Sequence, residues 1–323
     1  MAGGDERADA GIRVLFIGGL GRSGSTLLER ILGELDGAFA MGEVVHLWQR
    51  GVVDGERCGC GEPFHDCELW REAGEKAFGG WPAFDIAGFL DAKAAADRTR
   101  FIPSLARARL SDDLRGRVDK HNAVYARLYG AVREVSGAKV LIDSSKSASM
   151  AHCLRWSPDI DLRIVHVVRD PRAVAHSWAK TVRRPEAVGE TAEGEFMARW
   201  SPGKTAVHWD AQNFGFDLLA RAGVPTLRVR YEDFAAAPAG TVRGIAGFAG
   251  LDGAEPPFTD PATVELSANH QVAGNPMRFR TGRVELRADE AWRAATGPVH
   301  RALVTAVTMP MLGRYGYRRR PGG

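Results

Sequence analysis

The chain has 323 residues, enough to bury a large core as one large domain or two closely joined ones. Its 43 Lys and Arg nearly balance 40 Asp and Glu, and a net charge of +3 carries no nucleic-acid footprint. No apolar run approaches the roughly 20 residues a membrane helix needs, and no basic stretch followed by an apolar one opens the chain, so a cytoplasmic address is expected.

Residues 1–11 are small and charged and are expected to be disordered; residues 12–323 are expected to form a single domain. Val14 to Ile17 form a continuous apolar run of the kind a buried parallel strand shows, broken by Gly18, Gly19, Gly21 and Gly24. Leu27, Leu28, Ile31, Leu32 and Leu35 then follow at helical spacing, which puts Ser25 and Thr26 in the first turn of a helix. A strand, a glycine turn and a helix start aim unpaired backbone N–H groups at one spot, a cradle for a phosphate-like anion. The alternative is a tight turn that binds nothing. The nucleoside-triphosphate loop G-x-x-x-x-G-K-[ST] is departed from where it matters most: Ser25 stands in the lysine position and Arg22 is the loop's one cation. ATP or GTP hydrolysis, which leans on that lysine and Mg²⁺, fits poorly.

Ala38 to His46 predicts a second short strand with Glu43 at or just beyond its end, where open α/β sheets meet their ligands. A lone Glu is more often a solvated carboxylate. Residues 48–80 read as an irregular insertion holding Cys58, Cys60 and Cys67. Those three with His65 are a candidate zinc set, but C-x-C spacing departs from C-x₂₋₄-C and no second pair follows. A free-thiol or disulfide-pinned loop is the preferred reading, and no metal is assigned to the site. From Phe84 to Val135 the pattern is helical: Ile86, Phe89 and Leu90 share a face, as do Leu105, Leu110 and Leu114, then Val124, Tyr125, Leu128 and Val132. Residues 48–135 are thus an insertion expected to cover the sheet on the acceptor side.

Val140 to Ile142 predict the next strand, with Asp143, Ser144, Ser145 and Lys146 gathered at its end and Ser147 capping a helix through Leu154. Lys146 is expected to project at the carboxyl edge near the cradle. Residues 161–178 repeat the strand-turn-helix design, with Asp170 as N-cap, Pro171 at the first helical position and Arg169 at the strand end. An Arg there suits a second anion site. His166 reads as a core histidine. Thr181 to Lys204 suits a mobile loop or lid. Thr226 to Phe234 predicts a strand ending in Tyr231, Glu232 and Asp233, and Gly240 to Leu251 a helix. Asn269 to Gly282 reads as a long loop carrying Arg278 and Arg280, which alternate across Phe279, and a helix containing Trp292 follows. The basic end from Arg314 to Arg320 reads as a solvated tail.

Taken together, these segments resemble the sulfotransferase family that uses 3′-phosphoadenosine-5′-phosphosulfate (PAPS) as donor, nearest in motif style to its tyrosylprotein branch. The resemblance implies an α/β fold with a P-loop-like parallel sheet flanked by helices. Gly21-Arg-Ser-Gly-Ser-Thr-Leu-Leu28 is similar to the 5′-phosphosulfate loop, which implies that Arg22, Ser23, Gly24, Ser25 and Thr26 grip the sulfate-bearing end. Val168 to Trp178 is similar to the 3′-phosphate motif, implying that Arg169 and Ser177 hold the 3′-phosphate. Met41-Gly-Glu43 implies a glutamate base, with His46 as the alternative, and Ser144-Ser-Lys146 a lysine near the bridging oxygen. Tyr231 resembles a residue lining the nucleotide pocket, and Arg278 and Arg280 fall in a loop analogous to the late basic nucleotide loop.

The implied reaction is in-line sulfuryl transfer to a hydroxyl of a small molecule, carbohydrate or peptide, with PAP (3′-phosphoadenosine-5′-phosphate) as product. No metal is required for it and no nucleic acid or membrane is involved. The rival readings are a P-loop metabolite kinase and a non-catalytic nucleotide-binding protein.

Overall fold

Val14 and Phe16 of the first strand, β1 (Ile12–Gly18), enter one hydrophobic core while Leu15 and Ile17 enter another. A strand covered on both faces has no polar side to show, which is why its sequence runs apolar without alternation. The computed structural model describes residues 11–183 and 196–317. Residues 1–10 of the segment expected to be disordered, the middle of the 181–204 loop and the last residues of the basic end therefore lie outside the described residues.

After β1 come α1 (Ser25–Leu32), β2 (Ala38–Gly42), and an insertion with α2 (Glu68–Phe78), α3 (Ile86–Ala96), α4 (Ile102–Leu105) and α5 (Asp112–Ser136). The chain continues through β3 (Val140–Lys146), α6 (Ala148–Leu154), β4 (Ile160–Val168), α7 (Pro171–Ala179) and α8 (Pro202–Arg221). Then follow β5 (Thr226–Arg230), α9 (Tyr231–Ala236), α10 (Pro238–Ala249), β6 (Phe258–Asp260), β7 (Thr263–Leu266), β8 (Gly282–Glu285), α11 (Trp292–Ala295) and α12 (Pro298–Arg314). β1 to β5 form one parallel sheet in the order β2-β3-β1-β4-β5, so the expected parallel α/β architecture is what the chain adopts.

Leu28, Ile31 and Leu32 of α1 and Val242, Ile245 and Ala249 of α10 cover one face of the sheet. Tyr125, Leu128 and Val132 of α5, Met150 and Leu154 of α6 and Phe216 and Leu219 of α8 cover the other. The chain thus leaves β1 toward one face and leaves its neighbours β3 and β4 toward the opposite one. Diverging exits open a crevice at the carboxyl ends of these strands.

Five segments differ from the sequence reading. Residues 48–80 are not irregular throughout: a π-helical turn spans Leu47–Val53 and α2 follows. Leu105, Leu110 and Leu114 do not share a helix face, because the helix breaks before Ser111, whose hydroxyl caps α5 by accepting from Leu114 N at 3.4 Å. β5 stops at Arg230, and Tyr231 to Asp233 open α9 instead of ending a strand. β6, β7 and β8 pair antiparallel around the 269–282 loop; three- and four-residue strands are too short to show a period. The basic end is also packed as far as it is described: Arg314 pairs with the buried Asp217, and Tyr315 and Tyr317 are buried.

Candidate active site

The cradle is shaped by two glycines at positive φ. At Gly19 (φ +123°) a Cβ would lie 2.1 Å from the Val167 carbonyl oxygen, and at Gly24 (φ +84°) 2.6 Å from Cδ2 of Tyr231. The backbone can follow this path only without side chains there. Ser23 is buried and donates to the Leu20 carbonyl at 2.7 Å, so its hydroxyl locks the turn. Gly24 caps α1 with no side-chain hydrogen bond, and no acidic residue occupies the first turn. The N–H groups at Ser25 and Thr26 and the positive helix end are thus left for an anion. Arg22, itself at φ +73°, lies over the Trp178 ring at 5.4 Å, and Trp178 Nε1 donates to the Gly21 carbonyl at 3.0 Å.

The second candidate anion position adjoins the first. Arg169 at the end of β4 donates through Nη1 to the Arg22 carbonyl at 3.1 Å, and its guanidinium lies 4.2 Å above the Tyr231 ring. Tyr231 thereby packs on Gly24 with one edge and on Arg169 with its face. Arg169 Nε is buried without a partner among the described residues, while Nη2 donates to the Asp289 carboxylate at 3.1 Å. Lys180 Nζ stands 3.9 Å from the same carboxylate, and the cations hold Asp289 below its ordinary value against the opposing push of burial. Ser177 is half-buried on α7, the helix that follows Arg169, and makes no side-chain hydrogen bond among the described residues.

Glu43 and Lys146 meet at the opposite lip. Lys146 takes a left-handed backbone (φ +59°) after a register shift at the end of β3, and Nζ donates to Glu43 Oε1 at 2.6 Å and to the Ser144 carbonyl at 2.8 Å. Such a conformation costs about 1–2 kcal/mol in an L-residue and persists because neighbours hold it. Burial pushes the Glu43 carboxyl up, but Lys146, His46 and Arg50 together outweigh it and leave the group below its ordinary 4.5. His46 Nε2 lies 3.6 Å from Glu43 Oε2; desolvation in the mouth, aided by Arg50 and Lys146, holds the imidazole below its usual range.

The sequence reading did not single out Glu29 or Asp289. Glu29 is buried in α1, accepts from Gly42 N at 2.7 Å and from the Ser144 hydroxyl, and so ties the exits of β2 and β3 together. Burial lifts its carboxyl to about 7. Its signal was available: Ser25, Leu28, Glu29 and Leu32 lie on one helix face, so a carboxylate interrupts the apolar stripe. Asp289 has no comparable signal in its loop. Two expected residues stand apart. Arg278 is fully buried and donates to the carbonyls of Arg57 at 3.0 Å and Gly274 at 3.4 Å, whereas Arg280 is exposed; Pro276–Phe279 form a 3₁₀ turn, so the two are separated by that turn and not by the alternation of an extended chain. His166 is a core histidine: Nε2 meets Asn213 Oδ1 at 2.8 Å and burial lowers the ring to about 4.

A family model described as "Sulfotransferase family" matches residues 15–256, a span from β1 past α10 that includes both anion positions. The chain belongs to the sulfotransferase family. No curated protein sequence matches it. Among solved structures it is similar to the sulfotransferase domain from the Synechococcus PCC 7002 olefin synthase, at 19% identity and TM-score 0.48, covering 95% of each chain. It is also similar to a sulfotransferase from Alicyclobacillus acidocaldarius, at 16% identity and TM-score 0.40, covering 95% of this chain and 96% of that one. The sulfotransferase STF1 from Mycobacterium tuberculosis H37Rv shares 18% identity with TM-score 0.38, over 76% of this chain and 69% of that one. With TM-scores below 0.5, none of these likenesses bears on what this chain does. Among the described residues no helix is long and apolar enough to cross a membrane.

Proposed function

We propose that this chain transfers the sulfuryl group of PAPS to a hydroxyl acceptor by in-line displacement. The observation that carries the reading is Tyr231, whose ring lies against Gly24 of the glycine cradle and under the Arg169 guanidinium, and so sets the two candidate anion positions side by side. A donor with phosphosulfate at one end of its ribose and phosphate at the other needs two such positions side by side. The cradle amides, Arg22, Ser25 and Thr26 receive the 5′ end, with Ser23 holding the loop's shape. Arg169 takes the 3′-phosphate in place of Asp289, with Ser177 a further donor from α7. The exposed Arg280 remains a candidate for the nucleotide, while Arg278 serves the backbone of the insertion.

In the transfer, a bond forms between the acceptor oxygen and sulfur as the bond from sulfur to the bridging phosphate oxygen breaks. The acceptor proton goes to Glu43, and Lys146 and Arg22 meet the charge growing on the bridging oxygen. The Glu43–Lys146 pair links the two roles. While Lys146 binds Glu43 the carboxylate is a weak base; when Lys146 turns toward the donor, Glu43 loses its strongest cationic partner and burial raises its basicity. His46 is the alternative base.

The test incubates the chain with PAPS and a mixture of hydroxyl metabolites and peptides, and follows PAP release together with mass spectra of the acceptors. Sulfated product supports the reading. Phosphoryl transfer from labelled ATP under the same conditions would replace it with a kinase, and PAP binding without any turnover would replace it with a non-catalytic binder.

A further inference from the structure

His270 lies more than 200 residues beyond the cysteine cluster in sequence, yet its Nδ1 stands 3.2 Å from Cys67 Sγ and 3.9 Å from Cys58 Sγ. With Cys60 these side chains offer three sulfurs and one ring nitrogen, all within 4.8 Å of one another. His65, the partner that sequence proximity suggested, instead places Nε2 3.0 Å from the Val52 carbonyl. In a tetrahedral zinc site, sulfur at about 2.3 Å and nitrogen at about 2.0 Å from the metal leave S and N about 3.5 Å apart, between the two distances found here.

We propose that Cys58, Cys60, Cys67 and His270 form a structural Cys₃His zinc site that fastens the insertion to the edge of the active site.

The supporting backbone is shaped for it. Gly59 donates to the Gln271 carbonyl at 2.9 Å, and a Cβ on Gly59 would come within 2.2 Å of Asn269 Oδ1, so the C-G-C turn can lie against the 269–271 segment only with glycine between the thiols. Trp70 Nε1 donates to the His270 carbonyl at 2.8 Å, fixing the histidine from α2. Two residues on, Val272 donates to the Met41 carbonyl at 2.8 Å and accepts from Glu43 N at 2.9 Å. The site therefore ends one short step from the backbone of Glu43. Three thiolates and an imidazole closed around one ion suit zinc and leave no open position for substrate, so its role is to hold the fold.

Elemental analysis of the full chain, purified under reducing conditions without chelator, is expected to find about one zinc per chain that survives dialysis. Chelator-stripped protein given cobalt(II) is expected to show thiolate-to-cobalt charge transfer and the intense visible bands of tetrahedral coordination. Cys67→Ser and His270→Ala should each lose the metal, and His270→Cys, which restores four ligands, should keep it even if the other two fold poorly. The proposal is overturned if thiol titration finds all three cysteines free while neither metal is retained, if peptide mapping finds a disulfide among them, or if His270→Ala binds zinc as the parent does. None of these readouts depends on sulfuryl transfer.

Discussion

Lys146 Nζ stands 2.6 Å from Glu43 Oε1, a contact between the exits of two neighbouring strands, β3 and β2. The pair makes a pH-dependent contribution to stability whose sign follows from Glu43. Its folded value lies below the ordinary 4.5, so the contribution is present above that pH and lost as pH falls through the folded value. Lys146→Met removes the strongest cationic partner and leaves burial opposed only by His46 and Arg50. The variant is expected to be less stable at neutral pH by up to about 3 kcal/mol and to recover part of that loss on acidification, the reverse of the parent. Melting curves across pH 3 to pH 8 check it; parallel curves for the two proteins would contradict the assignment.

Glu43→Gln should lower single-turnover sulfuryl transfer by roughly 10²- to 10⁴-fold, the usual contribution of a positioned base. PAP binding, measured by calorimetry, should change little, because in the proposed reaction the carboxylate serves the acceptor and not the nucleotide. Transfer unaffected by the substitution would pass the role of base to His46.

How far the sequence disclosed this site depends on the kind of signal each residue leaves. Arg22, Ser25, Thr26 and Arg169 sit where an apolar strand gives way to a turn and a helix, and that change from a continuous apolar run to helical spacing is written locally. Glu43 and Lys146 were placeable at strand ends for the same reason, but their ion pair was not, since it depends on the β2-β3 pairing. His270 could not be joined to the cysteines because three-dimensional proximity across more than 200 residues has no local trace, whereas His65 was near in sequence and therefore misleading. Tyr231 reads as a strand end in the sequence because a six-residue helix after a β-strand carries too little pattern to identify.

Arg169→Ala tests the second anion position. Its guanidinium can offer charge-assisted hydrogen bonds to the 3′-phosphate, each worth about 1.5–3 kcal/mol, so affinity for PAP should fall by at least 10-fold. Affinity for adenosine 5′-monophosphate should hardly move. Asp289→Asn should act oppositely, tightening PAP binding by up to about fivefold, because the part-exposed carboxylate no longer competes for Arg169. Equal losses for both nucleotides in Arg169→Ala would remove the 3′-phosphate assignment.

Glu29 supplies a second pH window with the opposite slope. Its folded value of about 7 lies above the ordinary 4.5, so the native chain binds the extra proton between those limits and stability falls as pH rises through them. The loss across the window is on the order of 3 kcal/mol. Glu29→Gln keeps an acceptor for Gly42 N and can donate to the Ser144 hydroxyl, so it should flatten this slope while leaving PAP binding intact. A slope between pH 4.5 and pH 7 that survives the substitution would assign it to another group, with Asp143, lifted by burial to about 6, the next to examine.

Gly24→Ala probes the contact that unites the two anion positions. The substitution carries a backbone cost of about 1–2 kcal/mol at φ +84°, and its methyl group would also overlap Tyr231, 2.6 Å away. A Tyr231 ring pushed off the face of Arg169 by this overlap should make PAP affinity fall further than the loss of stability alone explains. A double-mutant cycle separates the two effects. In a Tyr231→Ala background the methyl group has room, and Gly24→Ala should then cost only the backbone strain, with little additional loss of PAP affinity. Additive losses in the cycle would mean that the ring does not transmit the position of the cradle to Arg169, and that the two anion positions are neighbours without being coupled.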